Sequence, residues 1–297
     1  MAASARHFAY AGAATAPNLR PDMLTFPNAK LNLGLYVTER RPDGFHSLES
    51  VFLPLPWTDA LEILPAPAGQ LETSITLTGR PIPGNPATNL CVRAYELLQA
   101  DFPQLPPAQI YLHKIVPIGA GLGGGSADAA FALKAANDLF SLSLSLEALE
   151  SYARRLGSDC AFFIRNQPVL AVEKGDVFEA ISLNLAGTGC VVVYPNLHIS
   201  TAEAYARITP KQPVHALREA LAQPMSTWRN TVSNDFETAL TPAHPVLAEI
   251  KQQLYDAGAA YASLSGSGSA VYGLWEAGPE IAPLAWPAEY TVWQGVL

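Results

Sequence analysis

The stretch PIGAGLGGGSADAA, Pro117 to Ala130, sets five glycines within seven residues directly ahead of a run rich in alanine. Glycine lets backbone amides approach a ligand with no side chain between, and it accepts positive φ at little cost. A helix expected from Ser126 to Phe140 would offer unpaired amides and the positive end of its dipole at the same point. Loop and helix start together suit an anion, and phosphate above all. Ser126 is the side chain set to meet it. Asp128, in the first turn, suits the dipole and reads as a capping acid.

Three phosphate-binding patterns compete for this loop. The Walker form GxxxxGK[ST] is absent from the chain, which disfavours a P-loop NTPase. GxGxxG occurs at Gly119, Gly121 and Gly124, but a dinucleotide fold puts it after the first strand, with an acid ending the second. Here nearly 120 residues precede it, and Asp138 falls within the same helical pattern. The third pattern is an ATP loop of three consecutive glycines followed by serine.

The elements that must position the loop follow from periodicity. QIYLHKIVPI reads as a strand running straight into it. In AKLNLGLYV, Ala29, Leu31, Leu33, Leu35 and Val37 alternate with the period of a half-buried strand, so Lys30, Asn32, Gly34 and Tyr36 share its other face. The turn ERRPDGFHS follows, then SVFLPLPW as a proline-interrupted strand and ITLTG as a short one. NPATNLCVRAYELLQADF reads as a helix capped at Thr88 or Asn89. SLEALESYARRLGSD reads as one capped by Ser145, with two arginines in its last turn and Gly157 ending it. PVLAVEK, GDVFEAISL and TGCVVVYP read as strands, and HALREALAQ and PVLAEIKQQLYDAGA as helices. YASLSGSGSAVYGLW reads as two strand runs around Gly266-Ser267-Gly268, either a plain hairpin turn or a second close-approach loop. Helices and strands interleave, so the class is mixed α and β. A boundary near Leu183 to Thr188 divides the chain into residues 23–185 and 186–297.

Composition narrows the partners. Hydrophobic residues make up 49% and charged residues 15%, against about 25% charged in an average soluble protein. The formal net charge of −8 lacks the basic footprint of a nucleic-acid binder, yet leaves room for a locally positive pocket. No apolar run approaches the ~20 residues that span a bilayer, so no membrane partner is expected. Cys91, Cys160 and Cys190 are odd in number and form no CxxC, which fits a reduced, cytoplasmic compartment without disulfides or zinc. Residues 1–22 are alanine-rich, with two arginines and no acid before Asp22. That composition resembles a short transit peptide; the reading taken is a disordered tail or a misplaced start upstream of Met23. Monomer and homodimer stay equally open.

The glycine loop resembles the central motif of the GHMP kinase superfamily, which includes galactokinase, homoserine kinase, mevalonate kinase and phosphomevalonate kinase. FPNAKLNLGL, RRPDGFHSLESVF, GAGLGGGSADAA, GSDCAFF, NDFE and YASLSGSGSAVYG resemble, in order, the segments of one branch whose acceptor is an alcohol carried on a cytidine diphosphate. The match runs from Met23 to Trp275. It implies a two-domain GHMP kinase-like α+β fold, with ATP on residues 23–185, the substrate domain at 186–297 and the active-site cleft between them. It implies phosphoryl transfer from ATP to a 2-hydroxyl, a step of the non-mevalonate isoprenoid pathway. There are two departures. Ser126-Ala127-Asp128 stands where the family often has Ser-Ser-Asn, and Phe45 stands where a tyrosine often precedes the histidine.

The same resemblance assigns roles. Lys30 and Asp159 match the catalytic positions: Asp159 to accept the proton of the attacking hydroxyl, Lys30 to stabilise the alkoxide. Read from the residues alone, Asp159 is equally a helix cap and Lys30 an exposed strand lysine. The ATP site takes Pro117, Gly119, Ala120, Gly121, Leu122, Gly123, Gly124, Gly125, Ser126 and Ala127, with Asn89 and Lys114 toward the adenosine half. Lys114 reads equally as a solvated strand lysine. Asn32 is assigned to the substrate, His46 to the cytosine edge, Phe45 to stack on the base, Tyr205 to its other face and Thr201 to a polar contact. Asn234, Asp235 and Glu237 of NDFE read as helix caps. Mg²⁺ is implied by ATP and usually keeps several waters. No compact carboxylate set in the sequence fixes it, so its protein ligands stay unassigned. The alternative within the superfamily is a kinase for homoserine or mevalonate, against which GFH argues because those substrates carry no base. An NAD-dependent oxidoreductase lacks its βαβ start. A catalytically dead regulator would not need both Lys30 and Asp159.

Overall fold

The computed structural model of the protein describes residues 24–276 and 281–297. The reading of residues 1–22 as a tail or misplaced start lies outside the described residues. In chain order the first half comprises β1 (Leu24–Thr25), β2 (Asn28–Arg40), β3 (His46–Thr58), β4 (Ala60–Pro65), β5 (Ser74–Gly79), α1 (Leu90–Asp101), β6 (Ala108–Lys114), α2 (Gly124–Leu139), α3 (Leu146–Leu156), α4 (Phe162–Arg165), β7 (Val169–Val172) and β8 (Val177–Ala180). The second half comprises β9 (Gly189–Tyr194), α5 (Thr201–Ala206), α6 (Leu217–Leu221), α7 (Met225–Thr231), α8 (Asp235–Leu240), α9 (Val246–Asp256), β10 (Tyr261–Leu264), β11 (Val271–Trp275) and β12 (Thr291–Val296).

Three four-stranded sheets result, in the orders β1-β4-β6-β5, β2-β3-β7-β8 and β10-β11-β9-β12. The first contains one parallel pair, β5 with β6; the other two are antiparallel throughout. The third begins at Gly189 and draws no strand from the first half. One apolar core lies under α1, α2 and α3 against β4 and β6, with Leu61, Ile63, Tyr95, Leu98, Leu133 and Phe162 at its centre. A second joins the halves, packing Leu31, Leu33 and Val51 with Cys190, Val192 and Tyr272.

β2 differs from the half-buried strand that its alternation implies. Lys30 and Asn32 are as buried as Leu31 and Leu33. The polar face turns toward protein rather than water: Lys30 N donates to Leu122 O at 2.9 Å and Asn32 N to Ser265 Oγ at 3.2 Å. β3 continues through its prolines, with a register shift against β2 between Leu55 and Thr58, where Pro56 lies. Pro54 and Pro56 lie past Phe52, the last residue paired with β7, so no ladder bond on that side needs their missing N–H.

Local chemistry sets the helix starts. Asn89 caps α1, accepting from Cys91 N, and Ser145 caps α3, accepting from Ala148 N. α2 starts at Gly124, two residues earlier than expected, because Gly123 takes the cap position in the left-handed region, and no side chain caps it. HALREALAQ yields only the five residues of α6. The sequence reading missed α5, which Ser200 caps by accepting from Glu203 N at 3.1 Å, an S-x-x-E signature. It also missed β12, which pairs with β9.

Phe162 is buried and meets Phe52 edge-on at 5.5 Å and Phe163 at 4.9 Å. Phe162→Ala is expected to cost about 3–5 kcal/mol of stability, read as a lower urea midpoint with an unchanged slope.

Candidate active site

The glycine loop leaves β6 and enters α2 with Gly119, Gly121 and Gly123 all at positive φ. All three positions crowd an added side chain, Gly121 most severely. A Cβ on Gly121 would run into the carbonyl oxygen of Ser265, and one on Gly123 would sit 3.0 Å from Cγ of Lys30 and Cζ of Phe163. The loop is fastened from the second half: Ser265 Oγ donates to Gly121 O at 2.9 Å and Ala270 N to Ala120 O at 3.0 Å. The Gly266-Ser267-Gly268 turn therefore stands directly against it. Asn234 caps α8, as expected, and also donates to Leu264 O and Gly266 O, both at 2.8 Å. Glu237 accepts from Ser263 Oγ and Leu264 N. Asp235 accepts from Val37 N at 2.9 Å. The NDFE segment thus caps a helix and holds the turn in place.

The loop separates two cavities. The smaller, about 410 Å³, is lined by the loop, by Leu77, Ile82 and Leu90, and by Asn89, Lys114 and Asp128. The larger, about 980 Å³, holds Lys30, Asn32, Phe45, His46, Asp159, Thr201 and Tyr205. Gly119, Gly121, Gly123 and Ser126 line both, so the backbone of the loop is a shared wall.

Lys30 and Asp159 meet on the larger side, Nζ to Oδ2 at 3.6 Å. Lys30 is 3% exposed and Asp159 keeps 30% of its side chain open to the cavity. Lys30 also donates to Asn32 Oδ1 and lies 4.9 Å from the centre of the Phe52 ring. Asn32 in turn donates to Ser50 Oγ at 2.9 Å. Burial lowers the pKa of the Lys30 ammonium, and the charge of Asp159 and its hydrogen bond to the lysine oppose that shift. Neither single-sequence reading holds: Lys30 is not an exposed strand lysine, and Asp159 caps nothing, since Ala161 precedes α4 without a side-chain bond.

At the other end of the larger cavity His46 stacks on Tyr205, ring centres 4.8 Å apart and planes at 27°, and Tyr205 meets Phe236 edge-on at 5.0 Å. The rings that face each other here are His46 and Tyr205. Phe45 is 59% exposed, with the Lys174 ammonium 5.1 Å from its ring centre. Burial and the nearby Arg40 lower the pKa of His46. Thr201 opens α5 and lines the same cavity.

Around the smaller cavity two expectations change. Lys114 is buried, not solvated, and donates to Asp59 and to Asp128, the latter at 2.7 Å. Asp128 is not a cap: α2 begins four residues before it, and its carboxylate turns inward onto Lys114. Asn89 lines the cavity, but its side-chain oxygen is occupied in capping α1. The sequence reading missed Asp59, His198, Lys174 and Asp176. Asp59 had a readable signal, an acid between two apolar strands in PWTDALE. The other three come from turns with no diagnostic spacing. Among the described residues no three His, Cys, Asp or Glu side chains cluster to hold a metal ion, and Asp159 and Asp128 are each paired with a lysine. No helix of the described residues is long and apolar enough to cross a membrane.

Two family models match the chain: the GHMP kinases N terminal domain at residues 89–167 and the GHMP kinases C terminal at residues 214–291. The chain is 50% identical over 268 residues to a 4-diphosphocytidyl-2-C-methyl-D-erythritol kinase of Bacteroides fragilis, covering 90% of this chain and 97% of that protein. A crystal structure of 4-(cytidine 5'-diphospho)-2C-methyl-D-erythritol kinase superposes with a TM-score of 0.70 at 32% identity, covering 86% of this chain and 91% of that one. The Methanococcus jannaschii mevalonate kinase shares the fold, with a TM-score of 0.63 at 15% identity over 86% of this chain and 90% of its own.

Gly121 and Gly125 give opposite outcomes. Gly121→Ala places a methyl against a fixed carbonyl at φ +78 and is expected to lower the melting temperature and loosen the loop. Gly125 lines the smaller cavity, and a Cβ there meets nothing within 4 Å. Gly125→Ala is expected to melt as the wild type does while binding nucleotide more weakly, as read by calorimetry.

Proposed function

The chain belongs to the GHMP kinase family, among its 4-diphosphocytidyl-2-C-methyl-D-erythritol kinases, and on that premise we propose that it moves the γ-phosphoryl of ATP onto the 2-hydroxyl of 4-diphosphocytidyl-2-C-methyl-D-erythritol. The observation that carries this reading is the shared wall. A nucleotide in the smaller cavity would lay its phosphates on the amides of the glycine loop. An acceptor in the larger one would reach the same loop from the other side, where Lys30 and Asp159 stand 3.6 Å apart.

Phosphoryl transfer asks for positioning, charge neutralisation and removal of one proton. In this reading the acceptor O–H bond breaks, with the proton passing to the Asp159 carboxylate. The freed oxygen bonds to the γ-phosphorus as the bond to the ADP oxygen breaks. Lys30 stabilises the negative oxygen, and Asn32 holds the ammonium on its bearing. Ser126, on the wall itself, meets a phosphate. The cytosine would enter at the His46–Tyr205 stack, with Phe45 at the rim and Thr201 beside it. Asn89 serves the adenosine side, while Lys114, whose ammonium lies against Gly124 and is held by Asp59 and Asp128, serves the phosphate end. Mg²⁺ bound with ATP would supply neutralisation of the phosphate charge, and among the described residues no carboxylate cluster is set to hold it. Residues 23–185 and 186–297 are the two domains of this reading, and the cytoplasm is its compartment.

Asp159→Asn is expected to keep ATP affinity and to lower kcat by about 10²–10⁴; near-normal turnover would remove Asp159 from the role. For the acceptor, ADP release is measured on the cytidyl compound, homoserine and mevalonate. Turnover is expected on the first alone. Turnover on either of the others but not on the first would overturn the acceptor assignment.

A further inference from the structure

The floor of the smaller cavity contains an ionic cluster that the transfer step does not use. Lys114, at the end of β6, donates to Asp59 and to Oδ2 of Asp128. Asp59, between β3 and β4, is fully engaged, since its Oδ1 also accepts from the amides of Ile115 at 2.5 Å and Val116 at 2.8 Å. Asp128 is not. It is 3% exposed, its Oδ1 has no hydrogen-bond partner among the described residues, and it lines the cavity below the uncapped start of α2. One ammonium faces two carboxylates, so the fully ionised cluster has one negative charge in excess. From α1, Cys91 also faces the cluster, with Cys160 beside it; burial pushes both thiols up, so neither adds charge. Lys30 and Asp159 line the other cavity.

We propose that Asp128 is a proton-binding residue coupled to the nucleotide site: its buried, incompletely partnered carboxyl takes up a proton when nucleotide binds in the cavity it lines, so that binding takes a proton from solvent. An ionised Asp128 would leave a buried charge in excess close to the incoming phosphates, and both penalties vanish when it is protonated. Burial, against the pull of Lys114, pushes the Asp128 carboxyl up to about 7. An anionic ligand raises it further. Below about pH 6 the free protein already holds the proton and affinity is flat. Above pH 7 the free carboxyl ionises and each pH unit weakens nucleotide binding by up to about tenfold, until the bound-state pKa is passed.

The inference rests on the nucleotide reading above, and calorimetry separates the two. The full chain is titrated at about pH 7.5 with a non-hydrolysable ATP analogue and excess Mg²⁺, in two buffers of different ionisation enthalpy. The expected result is a buffer-dependent heat that reports net proton uptake in the wild type and none in Asp128→Asn. A wild-type heat that is the same in both buffers overturns the proposal without recourse to a variant, and so does equal uptake in Asp128→Asn. No analogue binding at all overturns the nucleotide reading and this proposal with it.

Discussion

An ammonium removed from water is among the costliest groups a fold can hold unpaired, and Lys30 is 3% exposed in the middle of β2. Asp159 on one side, Asn32 on another and the face of Phe52 below compensate it. Removing one partner of such a buried pair typically costs about 3–5 kcal/mol, because the other charge is left buried and unpaired. The cost is tied to position. Lys30 also contributes its backbone amide to Leu122 O, so the residue that carries the charge fixes the height of the glycine loop.

The loop in turn depends on contacts from the distant half of the chain. Ser265 spans Asn32 and Gly121: its hydroxyl accepts from the first amide and donates to the second carbonyl. Asn234 and Glu237 hold the strand end and turn around that serine. Strand, loop and turn therefore form one rigid unit, and the second apolar core behind them crosses between the halves. This is why a loop with almost no side chains can act as a partition. Its two faces are defined by what stands on either side: aliphatic residues and the Lys114–carboxylate cluster on one, a lysine–aspartate pair and aromatic rings on the other.

Much of this was legible in the residues. Caps at Asn89 and Ser145, the glycine density before α2 and the alternation of β2 each rest on local chemistry and appear where local chemistry puts them. Resemblance to a family was needed to couple Lys30 with Asp159, because 129 positions separate them and neither stands out alone. What stayed hidden is tertiary. The burial of Lys30, Asn32 and Lys114 depends on surfaces supplied by other segments, and no periodicity reports it. Asp128 looked like a cap because sequence gives its distance from the helix start but not the direction of its carboxylate. Phe45 and His46 are neighbours in one turn, yet only His46 reaches Tyr205.

The central claim is that Lys30 and Asp159 act on one proton transfer as a unit. It is tested most directly by turnover at saturating ATP in Lys30→Met, Asp159→Asn and the double variant. Residues that act as a unit give strongly non-additive losses, so the double variant is predicted to be about as slow as the slower single one. Losses that multiply would show two independent contributions and contradict the account.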